Sequence, residues 1–194
     1  MAGRPRLVLA SASPRRLDLL AQIGVTPDAV IAADVDEREL PRETPRDYVL
    51  RVARAKAEAV AARAPGDLVL AADTAVACGR RILPKAEDEA TARACLHLMS
   101  GRAHRVFTAV ILAGPAAERR ERIVESRVKV ARLDAAEIDA YVASGEWRGK
   151  AGGYAIQGLF ARRVISIIGS YSNIVGLPLY ETANLLKGAG WRAS

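Results

Sequence analysis

A short apolar run, Leu7 to Ala10, leads directly into Ser11-Ala12-Ser13-Pro14-Arg15-Arg16 and then into Leu17, Leu20 and Ile23 at helical spacing. The run predicts a buried strand, and the spaced residues predict an amphipathic helix behind it. Pro14 suits the first helical turn, where its missing N–H would have had no partner. Ser13 is then the expected N-cap. A helix N-terminus attracts anions through its unpaired N–H groups and its dipole. Ser11, Arg15 and Arg16 add a hydroxyl and two guanidiniums there, a donor set suited to phosphate or carboxylate. The bland alternative, an ordinary capped helix with two solvated arginines, fits this segment equally well.

The remaining sequence alternates strand and helix patterns. Ala29 to Ala33 predicts a second strand, which ends in the acidic Asp34, Asp36 and Glu37. Thr44 and Pro45 open a helix to about Arg63, with Tyr48, Val49, Val52, Ala55, Ala59 and Val60 as its apolar positions. Leu68 to Ala72 predicts a strand ending at Asp73-Thr74, and Asp88 to Met99 predicts a helix stopped by Ser100-Gly101. Val106 to Ala113 and Ile123 to Leu133 pair as a hairpin around a polar tip, Gly114 to Arg119. Asp134 caps a helix to Ser144, Gly145 to Gly153 is a loop, Val164 to Ile168 is a strand, and Pro178 opens the last helix. With no repeat and no long linker, the pattern predicts an α/β protein with a mixed sheet.

At 194 residues the chain suits a single domain, 1–194, or one domain with two lobes. No apolar run reaches the length of a membrane span, and the basic N-terminus lacks a signal-peptide core, which predicts a cytoplasmic protein. Cys78 and Cys95 read as reduced core thiols. The net charge of +7 points to an anionic partner, although only five of the 29 basic residues are lysine, so arginine-rich composition accounts for part of it. A basic nucleic-acid-binding regulator is thus one function class. It is disfavoured by an aromatic content of 5%, too low for a stacking platform.

Ligands of open α/β sheets sit beyond the carboxyl ends of strands. The polar residues at such places are Ser11 with Arg15 and Arg16, then Asp36 and Glu37, Asp73 with Thr74, and Gln157; Lys56 and Lys85 add cations. Carboxylates among several cations are what metal-assisted phosphoryl or nucleotidyl transfer requires. Asp73 follows four uncharged residues, Val69 to Ala72, and its bland reading is a turn cap. The sequence has neither a phosphate-binding G-x-x-x-x-G-K-[ST] loop nor a G-x-G-x-x-G turn, nor zinc-ligand spacing, nor a nucleophile elbow. His104 reads as structural.

The opening LASASPRRLDLLAQIG resembles the signature of the Maf family of nucleoside triphosphate pyrophosphatases. Similar blocks follow in order: VDE at 35–37, RVARAKA at 51–57, AADT at 71–74, LMSGRAHRVFTAV at 98–110, and GGYAIQGLFARRVISIIGSYSNIVGLPLYET from Gly152 to Thr182. The resemblance implies an elongated mixed sheet with flanking helices and a central cleft between two lobes, the fold shared with inosine triphosphatases. It implies hydrolysis of a nucleoside triphosphate between the α and β phosphates with a divalent cation, Mg²⁺ or Mn²⁺. Asp73 matches the catalytic proton acceptor and Glu37 an acidic residue near the metal. Ser11, Arg15 and Arg16 match the anion-binding opening, and Lys56 and Lys85 match the lysines that face the phosphates. Arg15, Thr74 and Gln157 resemble the set of the dTTP/UTP subgroup, whereas the 7-methyl-GTP subgroup carries glutamine in place of Thr74. A purine or 7-methyl-GTP pyrophosphatase on the same scaffold is the alternative. The family's Lys-Pro stands here as Lys85-Ala86, which removes a proline constraint from the loop holding Lys85. Family members are often homodimers; the resemblance requires neither a membrane nor nucleic acid.

Overall fold

The computed structural model describes residues 5–114 and 119–191. The elements in chain order are β1 (Leu7–Ala10), α1 (Pro14–Gln22), β2 (Ala29–Val30), α2 (Pro45–Ala61), β3 (Leu68–Cys78), β4 (Arg81–Leu83), β5 (Lys85–Ala86), α3 (Glu89–Met99), β6 (Ala103–Ala113), β7 (Arg119–Val130), α4 (Ala135–Ala143), β8 (Lys150–Ala151), β9 (Val164–Ile168), α5 (Tyr171–Val175) and α6 (Leu179–Gly188). Among the described residues seven strands form one mixed sheet in the order β2-β1-β3-β6-β7-β9, with β4 added to β3, while β5 and β8 pair separately. β1 is parallel to β2 and β3, and the β3-β6-β7-β9 run is antiparallel. The expected mixed α/β architecture is the one observed. No described helix is long and apolar enough to cross a membrane.

The central strand β3 shows how the sequence builds two cores. Side chains alternate across a strand. Val69, Ala71, Ala75 and Ala77 face one way and pack with Val49, Ala53, Ala57 and Val60 of α2. Leu70, Ala72 and Val76 face the other way, into a core with Leu19 and Leu20 of α1, Leu96 of α3 and Leu185 of α6. The helix starts are fixed by side-chain caps. Thr44 accepts from Asp47 N–H, Asp88 from Thr91 N–H, and Asp134 forms a capping box with Glu137. Ser13 occupies the N-cap position of α1 but its hydroxyl makes no cap bond. Its own N–H instead donates to Ser11 Oγ at 3.1 Å.

Several strand boundaries differ from the sequence reading. β2 stops at Val30 rather than Ala33, with only Ile31 N–H still reaching Leu9 C=O. The hairpin strands β6 and β7 are longer than expected at their Ala103 and Arg119 ends, and four residues of the expected tip, 115–118, lie outside the described residues. The consequential difference is β3, which does not end before Asp73. It runs on through Asp73 and Thr74 to Cys78, because β6 continues to pair with it from Val69↔Ala113 to Ala77↔Arg105.

That extension creates an opening within the sheet. On its other side β3 pairs with β1 only from Leu68 to Ala71 and with β4 only from Val76 to Cys78. Ala72 to Ala75 have β6 on one edge and no paired strand on the other, because the chain leaves β1 at Ser11 to begin α1. Leu68 N–H donates to Arg6 C=O on the β1 side. Period-two alternation then turns the peptide groups of Thr74 towards this open edge.

Candidate active site

A cavity of about 410 Å³ lies at the open edge of β3. The structure brings Ser11, Arg15, Arg16, Glu37, Lys56, Asp73, Thr74, Lys85 and Gln157 to its walls, whereas Asp36 lies outside the cavity, paired with Arg38 at the surface. A second cavity of about 630 Å³ adjoins it, and Glu37, Asp73, Thr74, Lys85 and Ala151 line both. Asp73 and Thr74 reach the opening from opposite faces of one strand.

Acids and bases alternate across the site. Lys56 Nζ donates to Asp73 Oδ1 at 2.7 Å and lies 2.7 Å from Glu37 Oε1, while Lys85 Nζ donates to Glu37 Oε2 at 2.5 Å. Helical spacing explains the central cation. Val49, Val52, Ala53, Ala57 and Val60 form the buried stripe of α2, and Lys56 falls within it. The helix therefore carries a charge into its own packed face, directly over Asp73. Asp73 is not the turn cap of its bland reading: it sits within a strand, only 4% exposed, with a lysine as its partner. Its second oxygen, Oδ2, is buried with no hydrogen-bond partner.

The two carboxylates are held in opposite states of basicity. Burial raises the Asp73 carboxyl above its ordinary value, and Lys56 and Arg16 offset this only in part. Burial also pushes Glu37 up, but its bonds to Lys56 and Lys85 outweigh that and hold it at about 2. Glu37 is thus a firmly ionised anchor between two lysines. Asp73 is the more basic group.

Arg15 and Arg16, adjacent in sequence, behave differently. Arg16 is buried, and its nitrogens are satisfied inside the protein. Nε donates to Gly176 C=O at 2.9 Å, Nη1 to Ser11 Oγ at 3.0 Å and Nη2 to Thr74 Oγ1 at 3.3 Å. It ties α1 and β3 to the turn after α5, where Gly176 adopts a positive φ of 131° that disfavours a side chain. Arg15 is half-buried at the cavity wall, and desolvation lowers its pKa. Lys150 lines the same wall and is lowered by burial and by the nearby Arg15. Gln157 is exposed at the rim. The Lys85-Ala86 segment is a paired strand, not a loose loop: Ala86 is buried, pairs with Lys150, and accepts from Gly149 N–H at 2.9 Å.

Several wall residues escaped the sequence reading. Lys150 lies in a glycine-rich stretch whose only local signal is a turn. Tyr154 lines the cavity with its hydroxyl 2.7 Å from Nε2 of buried His104, whose pKa burial lowers to about 4. His104 is therefore structural, as read from sequence. Among the described residues no three His, Cys, Asp or Glu side chains cluster as a ready-made metal cage.

Comparison with known proteins places these features in context. Residues 6–189 match the family model described as Maf-like protein. A Caulobacter vibrioides protein named dTTP/UTP pyrophosphatase is 62% identical over 192 residues, covering 99% of this chain and 100% of its own. A Paramagnetospirillum magneticum protein of the same name is 63% identical over 185 residues, covering 95% and 97% of the two chains. Among solved structures, the Staphylococcus aureus Ham1 protein is similar in fold, with a TM-score of 0.52 at 18% identity over 95% of this chain and 99% of its own. A Coxiella burnetii HAM1 protein gives 0.51 at 16% identity over the same shares, 95% and 99%.

Proposed function

The chain belongs to the Maf family, and from that premise we propose that it is a single-domain nucleoside triphosphate pyrophosphatase converting dTTP and UTP to the monophosphate and pyrophosphate. The observation that carries the reading is the buried Asp73, with one oxygen on Lys56 and the other unpartnered, in a cavity rimmed by further cations. That is the arrangement needed to hold a polyanion while keeping a base beside it.

In this mechanism Arg15, Lys85 and Lys150 neutralise the triphosphate, and Lys56 holds Asp73 and Glu37 in register. Arg16 keeps the α1 terminus and Thr74 in place. Asp73 orients a water molecule and takes its proton at Oδ2 as the water oxygen attacks the α phosphorus. The α–β bridging oxygen then leaves with the pyrophosphate, whose new charge the lysines face. An aspartate is a modest base even with a raised pKa, so positioning and charge neutralisation contribute most of the rate. Thr74 and Gln157 contact the pyrimidine.

A divalent cation, Mg²⁺ or Mn²⁺, fits the donors present. Mg²⁺ typically takes one or two carboxylates and completes its shell with waters and substrate phosphates. Glu37 would hold it, with Asp73 assisting through Oδ1, so that the unpartnered Oδ2 of Asp73 stays free for the water. When bound, it supplies further neutralisation of phosphate charge. A cytoplasmic location, where such nucleotides are made, accords with this reading.

The test is a panel of common and modified nucleoside triphosphates with Mg²⁺, read by product analysis. Monophosphate and pyrophosphate from dTTP and UTP support the proposal. Diphosphate and orthophosphate, or turnover confined to purine or 7-methyl-GTP substrates, overturn it.

A further inference from the structure

The Thr74 hydroxyl lies at the cavity wall and is held by protein on three sides. Arg16 Nη2 donates to it at 3.3 Å, Thr108 Oγ1 lies 2.9 Å away, and the Gly176 carbonyl lies at 3.4 Å. Thr108 stands directly opposite Thr74 in the β3–β6 register and is fully buried. Its own hydroxyl lies 3.1 Å from the Asn173 carbonyl. Each hydroxyl has one proton, and the two carbonyls can only accept.

The 2.9 Å contact between the two hydroxyls needs one proton. If Thr108 supplied it, the Asn173 carbonyl would lose that donor, and the Thr74 proton would have only the Gly176 carbonyl at 3.4 Å, which already accepts from Arg16 Nε at 2.9 Å. With Thr74 supplying it, Thr108 donates to Asn173 at 3.1 Å and both hydroxyl protons are used. This second arrangement uses the shorter contacts, turns the Thr74 proton into the protein and leaves one lone pair of Thr74 free for a ligand. Such a hydroxyl can accept from a substrate and has nothing to donate. It therefore has no use for a phosphate oxygen and suits a substrate group that carries N–H or O–H.

We infer that Thr108 is a positioning residue for base selection: it draws away the Thr74 proton and leaves at the wall an acceptor that matches the N3–H of uracil or thymine and opposes the N3 lone pair of cytosine. The inference rests on the pyrimidine triphosphate reading and deepens it. Cytosine differs from uracil at N3 and at the 4-position, so a fixed acceptor at N3 discriminates by leaving two lone pairs facing each other. Asn173 supports the arrangement from behind, with Nδ2 donating to Val106 C=O at 3.2 Å and to Ser126 Oγ at 2.9 Å.

The experiment compares kcat/KM for UTP and CTP in wild type, Thr108→Val, and Thr108→Ser, each with Mg²⁺. Valine keeps the shape and removes both hydroxyl roles, leaving the Thr74 proton only the Gly176 carbonyl at 3.4 Å, which Arg16 Nε already occupies at 2.9 Å, so that the proton turns towards the base. The wild type is expected to favour UTP, Thr108→Val to narrow the UTP:CTP ratio by roughly tenfold, and Thr108→Ser to restore the wild-type ratio. A purely structural role would lower both nucleotides in proportion, so an unchanged ratio in Thr108→Val overturns the inference. If the valine variant does not fold, Thr108→Ala is read by the same ratio. Absence of UTP turnover by the wild type fells the pyrimidine reading and this inference with it, whereas turnover with an unchanged ratio in the variant fells the inference alone.

Discussion

Replacing Lys56 with methionine removes the cation shared by two carboxylates and leaves the helix and its buried stripe intact. The side chains involved are 10% exposed for Lys56, 6% for Asp73 and 28% for Glu37. Deleting one partner of a buried ion pair costs about 3–5 kcal/mol, because the other charge is left uncompensated. The lower end applies here. Glu37 keeps Lys85 at 2.5 Å, the cavity brings water close to Asp73, and methionine extends the apolar row between Ala53 and Val60. A loss of about 3 kcal/mol corresponds to a drop in Tm of roughly 6–12 °C for a chain of this size. The pH dependence has a definite sign. Asp73 is already raised in the folded state, and losing Lys56 raises it further. A carboxyl whose folded pKa exceeds its unfolded one opposes folding while ionised, so the destabilisation is full above the folded pKa and is relieved as the pH falls through it. The Lys56→Met, Asp73→Asn double variant removes the stranded charge and should recover most of the stability. Thermal denaturation of wild type, Lys56→Met, Asp73→Asn and the double variant at pH 8 and pH 5 measures this. A single variant as stable as wild type at pH 8, or a double variant no better than the single, would refute the reasoning.

Two further outcomes are expected. Asp73→Asn should lower kcat for UTP by about 10²–10⁴ while leaving nucleotide affinity within a few-fold by calorimetry; loss of binding and folding together would make Asp73 structural. The acid limb of kcat/KM should fall through the Asp73 pKa, above the ordinary 3.8, while Glu37 stays ionised down to about 2. A pH–rate series in which the limb lies at or below 3.8, or carries two protons, contradicts that assignment.

Local chemistry made much of the fold legible. Thr44, Asp88 and Asp134 announce helix starts because each carries an oxygen able to bond its own third N–H, and all three do so. The same logic placed Ser13 at the start of α1 but not its hydroxyl, because Ser11 two residues earlier took the bonding role. The extent of β3 was illegible for a different reason. A charge after an apolar run reads as the end of a strand, and the lysine that accommodates Asp73 within the sheet comes from another element, 17 residues away. In sequence Arg16 reads as an anion contact alongside Arg15, because its partners Thr74 and Gly176 lie 58 and 160 residues away and leave no local trace. The open edge of β3 is a property of strand pairing alone. Thr108 could have been noticed only by aligning β6 against β3 in register, which sequence spacing does not supply.

The most direct test of the central claim, that Asp73 delivers water to the α phosphorus within this cavity, is hydrolysis of UTP in ¹⁸O-enriched water followed by mass spectrometry of both products. The account expects one heavy oxygen in the uridine monophosphate and none in the pyrophosphate. Heavy oxygen in the pyrophosphate, or uridine diphosphate with labelled orthophosphate, would contradict it.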